Sequence, residues 1–178
     1  MDDLTRSAVA ARDGDPAALA RFVRESQADV WRLAAHLVDR GAADDLTQEI
    51  YERALRSLPS FRGDSSARTW LLSIARRTCV DTIRRRARMR LRETRMRALA
   101  TEREEFIGYD VELDEVLSAL DPDRRAAFVL TQLLGYSYAE ASEVCDCPVG
   151  TIRSRVARAR SEIAHAWGAD EASGSAEG

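Results

Sequence analysis

The sequence predicts an all-α protein: two small helical domains joined by a flexible acidic linker. Three observations predict it. Apolar residues recur at three-to-four-residue spacing almost throughout the 178 residues, the period of a half-buried helix. Helix breakers are scarce, with 9 glycines and 4 prolines. Charge also changes sign abruptly in mid-chain. Residues 84–97, RRRARMRLRETRMR, hold eight arginines against one glutamate, whereas residues 101–115, TEREEFIGYDVELDE, hold seven acids against one arginine. Such blocks solvate or interact rather than pack. They divide the chain into a first domain at 1–90, a flexible charged linker at 91–112, a second domain at 113–168 and a disordered tail at 169–178.

The first helix is expected from Pro16 to Val38, opened by Asp15 as cap and Pro16 at the first helical position, with Leu19, Phe22, Val23, Val30, Leu33 and Leu37 on one face. A second runs from Ala42 to Leu58 with Ala43, Leu46, Ile50 and Ala54 inward. PSFRGDSS (59–66) reads as a loop. A third helix starts near Ala67 and runs into the arginine block. In the second domain, Leu113, Val116, Leu117 and Leu120 form a short amphipathic helix. Asp121-Pro122 opens another, which Gly135 ends. Ser137-x-x-Glu140 is a capping box for a helix over 138–144, Cys145-Asp146-Cys147 is a turn, and Pro148 takes the first position of the last helix.

Several function classes are excluded at this level. No apolar run reaches the roughly 18 residues of a membrane span, and the polar, acidic opening MDDLTRSAVAARDG is no secretory signal, so the expected location is the cytoplasm. Cys145 and Cys147 have no histidine at ligand spacing, and Cys79 falls on an apolar stripe, so neither metal nor cofactor is expected. Asp44 and Asp45 are adjacent and point to different helix faces, so they form no acid/base pair and no catalytic residue is assigned.

Three surfaces carry the functional reading. The last two helices with their short turn form a helix-turn-helix pattern. In the final helix Ile152, Val156, Ala159 and Ile163 share one stripe, and opposite them lie Gly150, Ser154, Ala157, Arg158 and Ser161, flanked by Arg153 and Arg155. Small residues let a helix sit deep in a major groove about 12 Å wide, where arginine reaches guanine edges or phosphates. The third helix presents Trp70, Ile74, Arg77, Asp81, Arg84 and Arg88 on one face, a cationic strip with an aromatic end suited to an unpaired strand. In the second helix Asp45, Gln48, Glu49 and Glu52 make an acidic face that repels DNA and suits a basic protein partner.

With these surfaces in view, ADDLTQEIYERAL (43–55), SFRGDSSARTWLLSIARRTCVDTIRRR (60–86) and YSYAEASEVCDCPVGTIRSRVARAR (136–160) resemble an extracytoplasmic-function (ECF) sigma factor of bacterial RNA polymerase, in wording similar to the mycobacterial SigC type. The resemblance implies that Asp45, Leu46, Thr47, Gln48 and Glu49 bind the β′ clamp of core polymerase. It implies that Phe61, Arg62, Ser65, Ser66, Arg68 and Trp70, with Arg77, Arg84 and Arg88, recognise and melt the minus-ten element and hold a flipped non-template base. Thr151, Arg153, Ser154, Arg155, Ala157 and Arg158 would then read the minus-thirty-five element. The acidic linker would pass through polymerase channels that otherwise hold nucleic acid. The implied partners are core polymerase, its β′ clamp and β subunits, promoter DNA and, as is common in that family, an anti-sigma factor. The rival reading is a stand-alone helix-turn-helix regulator that binds an operator as a dimer; it leaves D-L-T-Q-E without a role.

Overall fold

The computed structural model describes residues 1–96 and 111–174, and among them only helices and turns occur. Helix α1 spans Asp3–Arg12, α2 Pro16–Leu37, α3 Ala43–Ser57, α4 Ala67–Met96, α5 Val111–Ala119, α6 Pro122–Phe128, α7 Tyr138–Cys145 and α8 Val149–Gly174. A 3₁₀ turn, Leu58–Ser60, follows α3, and a π turn, Val129–Leu133, prolongs α6.

Local chemistry sets most helix starts. Asp15 accepts the amides of Ala17 and Ala18 at 2.8 and 3.1 Å, with Pro16 in the first position. Asp121 caps α6 in the same way. Ser137 and Glu140 form the expected reciprocal capping box: Glu140 N donates to Ser137 Oγ and Ser137 N to Glu140 Oε2. Asp39 Oδ1 accepts Ala42 N at 2.7 Å and so supports the start of α3, while its Oδ2 meets Arg86 of α4 at 2.5 Å. Burial pushes the Asp39 carboxyl up, but Arg86 and the two backbone bonds outweigh it and leave it below its ordinary value.

Five differences from the sequence expectation stand out. Helix α1 was not anticipated; Asp2 caps it by accepting Thr5 N at 2.9 Å, and Leu4 and Ala8 are buried. Helix α4 continues through the arginine block to Met96, because arginine is a good helix former and no glycine or proline intervenes. Helix α5 opens at Val111, two residues ahead of the expected domain start. Pro148 stands just before α8 rather than in its first position, its carbonyl accepting Thr151 N and Ile152 N. The expected disordered tail begins as helix: α8 runs to Gly174 through Ala169, Glu171 and Ala172, all favourable in helices. The rest of the expected linker, 97–110, and the last four residues lie outside the described residues.

The main core joins both halves of the chain. Phe22, Leu33 and Leu37 of α2, Ile50 of α3 and Leu71, Leu72 and Cys79 of α4 belong to the same buried cluster as Val129, Leu130, Val144, Ile152 and Val156. A smaller cluster of Leu117, Leu120, Phe128, Ala159 and Ile163 seats α5 on α6 and α8. The two halves are therefore packed on each other, and the polar contacts between them include Arg125 Nε donating to the His36 carbonyl at 2.9 Å.

All three cysteines are free thiols. Burial raises Cys79 to about 12 and Cys145 to about 11, so both are protonated and shielded, whereas Cys147 is half-exposed. Thiol titration of the native chain should give one accessible cysteine, with the other two reacting only as fast as the protein unfolds. Two rapidly reacting thiols would contradict this packing.

Candidate polymerase-binding and nucleic-acid surfaces

Asp44 and Asp45 lie in the first turn of α3, where the helix dipole favours acids. Asp44 accepts the Trp31 indole N–H at 2.8 Å. Asp45 and Gln48 are exposed, and Glu49 is half-exposed with its carboxylate on Arg53 at 2.6 Å. Leu46 and Thr47 are 5% and 7% exposed, Leu46 inward as its apolar stripe predicts, so within D-L-T-Q-E it is Asp45, Gln48 and Glu49 that are open to a partner. At 100° per residue, five consecutive positions span the whole circumference of a helix, so some must point inward.

The loop between α3 and α4 departs from expectation at Phe61. Its ring is 4% exposed and packs on Trp70, ring centroids 4.9 Å apart, with Phe22 behind Trp70 at 6.4 Å. The 3₁₀ turn draws Phe61 inward, its amide donating to the Leu58 carbonyl. Phe61 is thus a core residue rather than a loop-tip contact. Trp70 keeps one edge on an open groove lined by Arg53, Ser57, Ile74 and Arg77. Arg62 and Asp64 pair at 3.0 Å on the exposed loop, Ser65 is exposed, and Ser66 caps α4 by accepting Thr69 N at 3.0 Å. Along α4, Arg77 folds back onto Ser73, and Arg84 and Arg88 are exposed on the expected face.

Helices α7 and α8 form the helix-turn-helix. Asp146 adopts the left-handed conformation, φ 51°, that closes α7, with Cys147 N donating to the Ser142 carbonyl. Ile152, Val156, Ala159 and Ile163 are buried, while Arg153, Ser154, Ala157 and Arg158 are exposed on the far side of α8. Thr151 and Arg155 are half-buried.

The packed halves bring arginines of α4 and α8 together. Asp123 at the start of α6 holds Arg76 through one carboxylate oxygen, and through the other meets Arg84 at 3.4 Å and Arg155 at 3.8 Å. Arg155 also lies 3.6 Å from Cys147 Sγ. Arg68 pairs with Asp29 and bonds the Tyr136 hydroxyl, whose pKa burial raises against the opposing pull of that guanidinium. Glu140 and Glu143 of α7 line one cleft with Ser65, Ser66 and Thr69. Asp123 and Arg76 carried no signal in the sequence, because Asp123 reads there as an ordinary acid in a helix's first turn.

Residues 22–89 match the family Sigma-70 region 2, and residues 110–163 match Sigma-70, region 4. The ECF RNA polymerase sigma factor SigC of Mycobacterium tuberculosis is 49% identical over 164 residues, covering 90% of this chain and 89% of that protein. The chain belongs to the ECF sigma factor family. It is also similar to the ECF RNA polymerase sigma-E factor of Escherichia coli, 34% identical over 84% of this sigma factor and 86% of that one. Among solved structures, this sigma factor resembles CnrH in complex with the cytosolic domain of CnrY (TM-score 0.73, 25% identity, 95% and 99% of the two chains). It also resembles the sigma factor RpoE in complex with the anti-sigma factor NepR from Bartonella quintana (TM-score 0.63, 26% identity, 85% and 98%). As an RNA polymerase sigma factor it works with core polymerase on promoter DNA to direct initiation, in a family of DNA-binding regulators rather than enzymes. No helix among the described residues is long and apolar enough to cross a membrane.

Proposed function

We propose that residues 1–90 dock on core polymerase and read and melt the minus-ten element, that residues 113–168 read the minus-thirty-five element, with 91–112 linking them, and that the chain acts in the cytoplasm. Asp45, Gln48 and Glu49 grip the basic side of the β′ clamp, and Leu46 and Thr47 seat α3 beneath them. Arg62, Ser65 and Ser66 of the loop meet the unpaired minus-ten strand, and Trp70 with Arg68, Arg77, Arg84 and Arg88 supports it along α4. These contacts hold single strands better than duplex, so binding favours the melted state. Arg153, Ser154, Ala157 and Arg158 enter the minus-thirty-five major groove, with Thr151 and Arg155 at its edge.

The observation that carries this reading is the two-sided α8: four buried apolar residues on one side and small residues punctuated by arginine on the other. Run-off transcription with core polymerase on a randomised promoter library tests it, since the selected promoters should share two separated elements. On such a promoter Arg158→Ala should lower initiation about tenfold, the loss of one base-reading arginine. It should leave a promoter without the minus-thirty-five element unchanged. Equal loss on both promoters would remove α8 from sequence reading.

An anti-sigma protein is a further partner in this reading, supported by the RpoE fold solved with NepR bound. The free chain, with Arg84 and Arg155 drawn to one carboxylate, should bind promoter duplex weakly without polymerase. Positions minus ten and minus thirty-five lie about 25 base pairs apart, about 85 Å at 3.4 Å per pair, whereas Arg84 and Arg155 meet the same Asp123 oxygen at 3.4 and 3.8 Å, too close together to serve both elements.

A further inference from the structure

Helix α1 lies ahead of residue 22, where the first family match begins, and no surface assigned above includes it. It nevertheless touches both ends of the minus-ten loop. Thr5, 3% exposed, accepts Ala67 N through Oγ1 at 2.9 Å, a bond across 62 residues to the first amide of α4. Four amides at a helix start lack partners within the helix. Ser66 satisfies that of Thr69 from inside the loop, and Thr5 satisfies that of Ala67 from outside it. The Thr5 hydroxyl proton is committed elsewhere, to Asp2 Oδ2 at 2.6 Å, so its oxygen is left to accept. These Thr5 bonds, above all the hydroxyl's, hold the Asp2 carboxyl below its ordinary value.

At the other end, Arg12 donates to the Phe61 carbonyl at 3.0 Å while Asp13 fixes the same guanidinium at 2.8 and 3.2 Å. Midway, Val9 flanks Gly63, which has a φ of +78°. Between the two ties lie Arg62, Asp64 and Ser65, all exposed. A loop held at both ends keeps its shape before DNA arrives, so its ordering entropy is not charged to promoter binding.

We propose that Thr5 and Arg12 are positioning residues that hold residues 61–66 in the conformation that selects the minus-ten base, an inference resting on the assignment of that loop to minus-ten reading. Neither side chain need touch DNA. Their effect runs through the carbonyl and the amide that bracket the loop. Loosening either tie lets the loop accommodate wrong bases, so selectivity falls while the docking face and α8 are undisturbed.

The test uses the full chain with core polymerase and a promoter selected from a randomised library. Initiation is compared between that promoter and versions altered at the preferred minus-ten base or in the minus-thirty-five element. Thr5→Val and the surface variant Arg12→Ala should each cut minus-ten discrimination about fivefold to tenfold, as expected for one buried hydrogen bond. Thr5→Ser, which keeps the hydroxyl, should restore it, and minus-thirty-five discrimination and core binding should stay within about twofold. Unchanged minus-ten discrimination in both Thr5→Val and Arg12→Ala overturns the proposal. So does loss at both elements together, or failure of Thr5→Ser to rescue. The loop variants Arg62→Ala and Ser65→Ala separate this from the parent reading. If they lose discrimination and the α1 variants do not, only the role of α1 falls; if none loses it, the loop assignment falls as well.

Discussion

The double variant Asp45→Lys, Glu49→Lys is expected to lose core polymerase association by about a hundredfold at physiological salt. Two exposed charges near a basic surface each contribute about 1 kcal/mol at contact distance in a water-like dielectric. Reversal replaces each attraction by a repulsion of similar size, so the pair amounts to about 4 kcal/mol before screening. Screening over a Debye length of about 8 Å reduces this to the hundredfold range. The cost to the fold is much smaller. Asp45 loses a favourable position in the first turn of α3, about 0.3–1 kcal/mol, and Glu49 loses its exposed pair with Arg53, about 0.3–0.5 kcal/mol. Leu46, Ile50 and Ala54, which anchor α3, are untouched. A titration of labelled core enzyme should show the weakening, the melting temperature should drop only slightly, and the deficit should shrink as salt is raised. An equally exposed reversal on α2, Glu25→Lys, should bind normally. Undiminished association of the double variant would remove the acidic face of α3 from polymerase docking.

What the sequence made legible was local. Asp15-Pro16, Asp121-Pro122 and Ser137-x-x-Glu140 announce helix starts through bonds two or three residues long, and all three form as read. The stripe Ile152, Val156, Ala159, Ile163 is periodic, so the orientation of α8 followed from it, and with that the exposure of Arg153 and Arg158. Contacts between distant residues have no such signature. Thr5 meeting Ala67, Arg12 meeting Phe61 and Arg68 meeting Tyr136 each join segments that look unrelated along the chain. Helix α1 escaped notice because ten residues bearing only Leu4 and Ala8 as fully buried apolar side chains give too short a stripe to separate from a polar terminus. The burial of Phe61 escaped notice for the opposite reason. A loop composition hides the fact that its one aromatic has a tryptophan to pack against. Stripes from both halves likewise share one main cluster, with a smaller one under α5, since nothing in a helical period says which other helix a stripe will meet.

Asp123→Asn is expected to open the free chain. One carboxylate here faces three guanidiniums: Arg76, whose side chain is 13% exposed, Arg84 and Arg155. Arg76 and Arg84 come from α4, and Arg155 from α8, so this acid neutralises a like-charge contact across the seam between the halves. Amide substitution leaves three cations converging on a neutral group. At separations of about 6 Å and an effective dielectric of about 20, each pair repels by about 3 kcal/mol. Removing one member of this largely buried pair costs about 3–5 kcal/mol, and Arg76, whose Nε already lacks a hydrogen-bond partner, has nothing to offset the loss. Separation of the halves relieves both penalties by returning the guanidiniums to water. Opposing it are the apolar residues of the seam, Val129, Leu130 and Val144 among them, and the bond from Arg125 to the His36 carbonyl. The variant should therefore populate open forms while each half stays helical. Its radius of gyration in solution scattering should rise with an unchanged helical circular dichroism signal. Promoter duplex binding by the free chain should strengthen about tenfold as Arg84 and Arg155 become available, in proportion to the competent fraction. The holoenzyme should change little, because the proposed reading of two elements about 85 Å apart along duplex DNA would already hold the halves apart there. A variant with the original radius and the original weak DNA binding would mean that the apolar seam alone holds the chain closed.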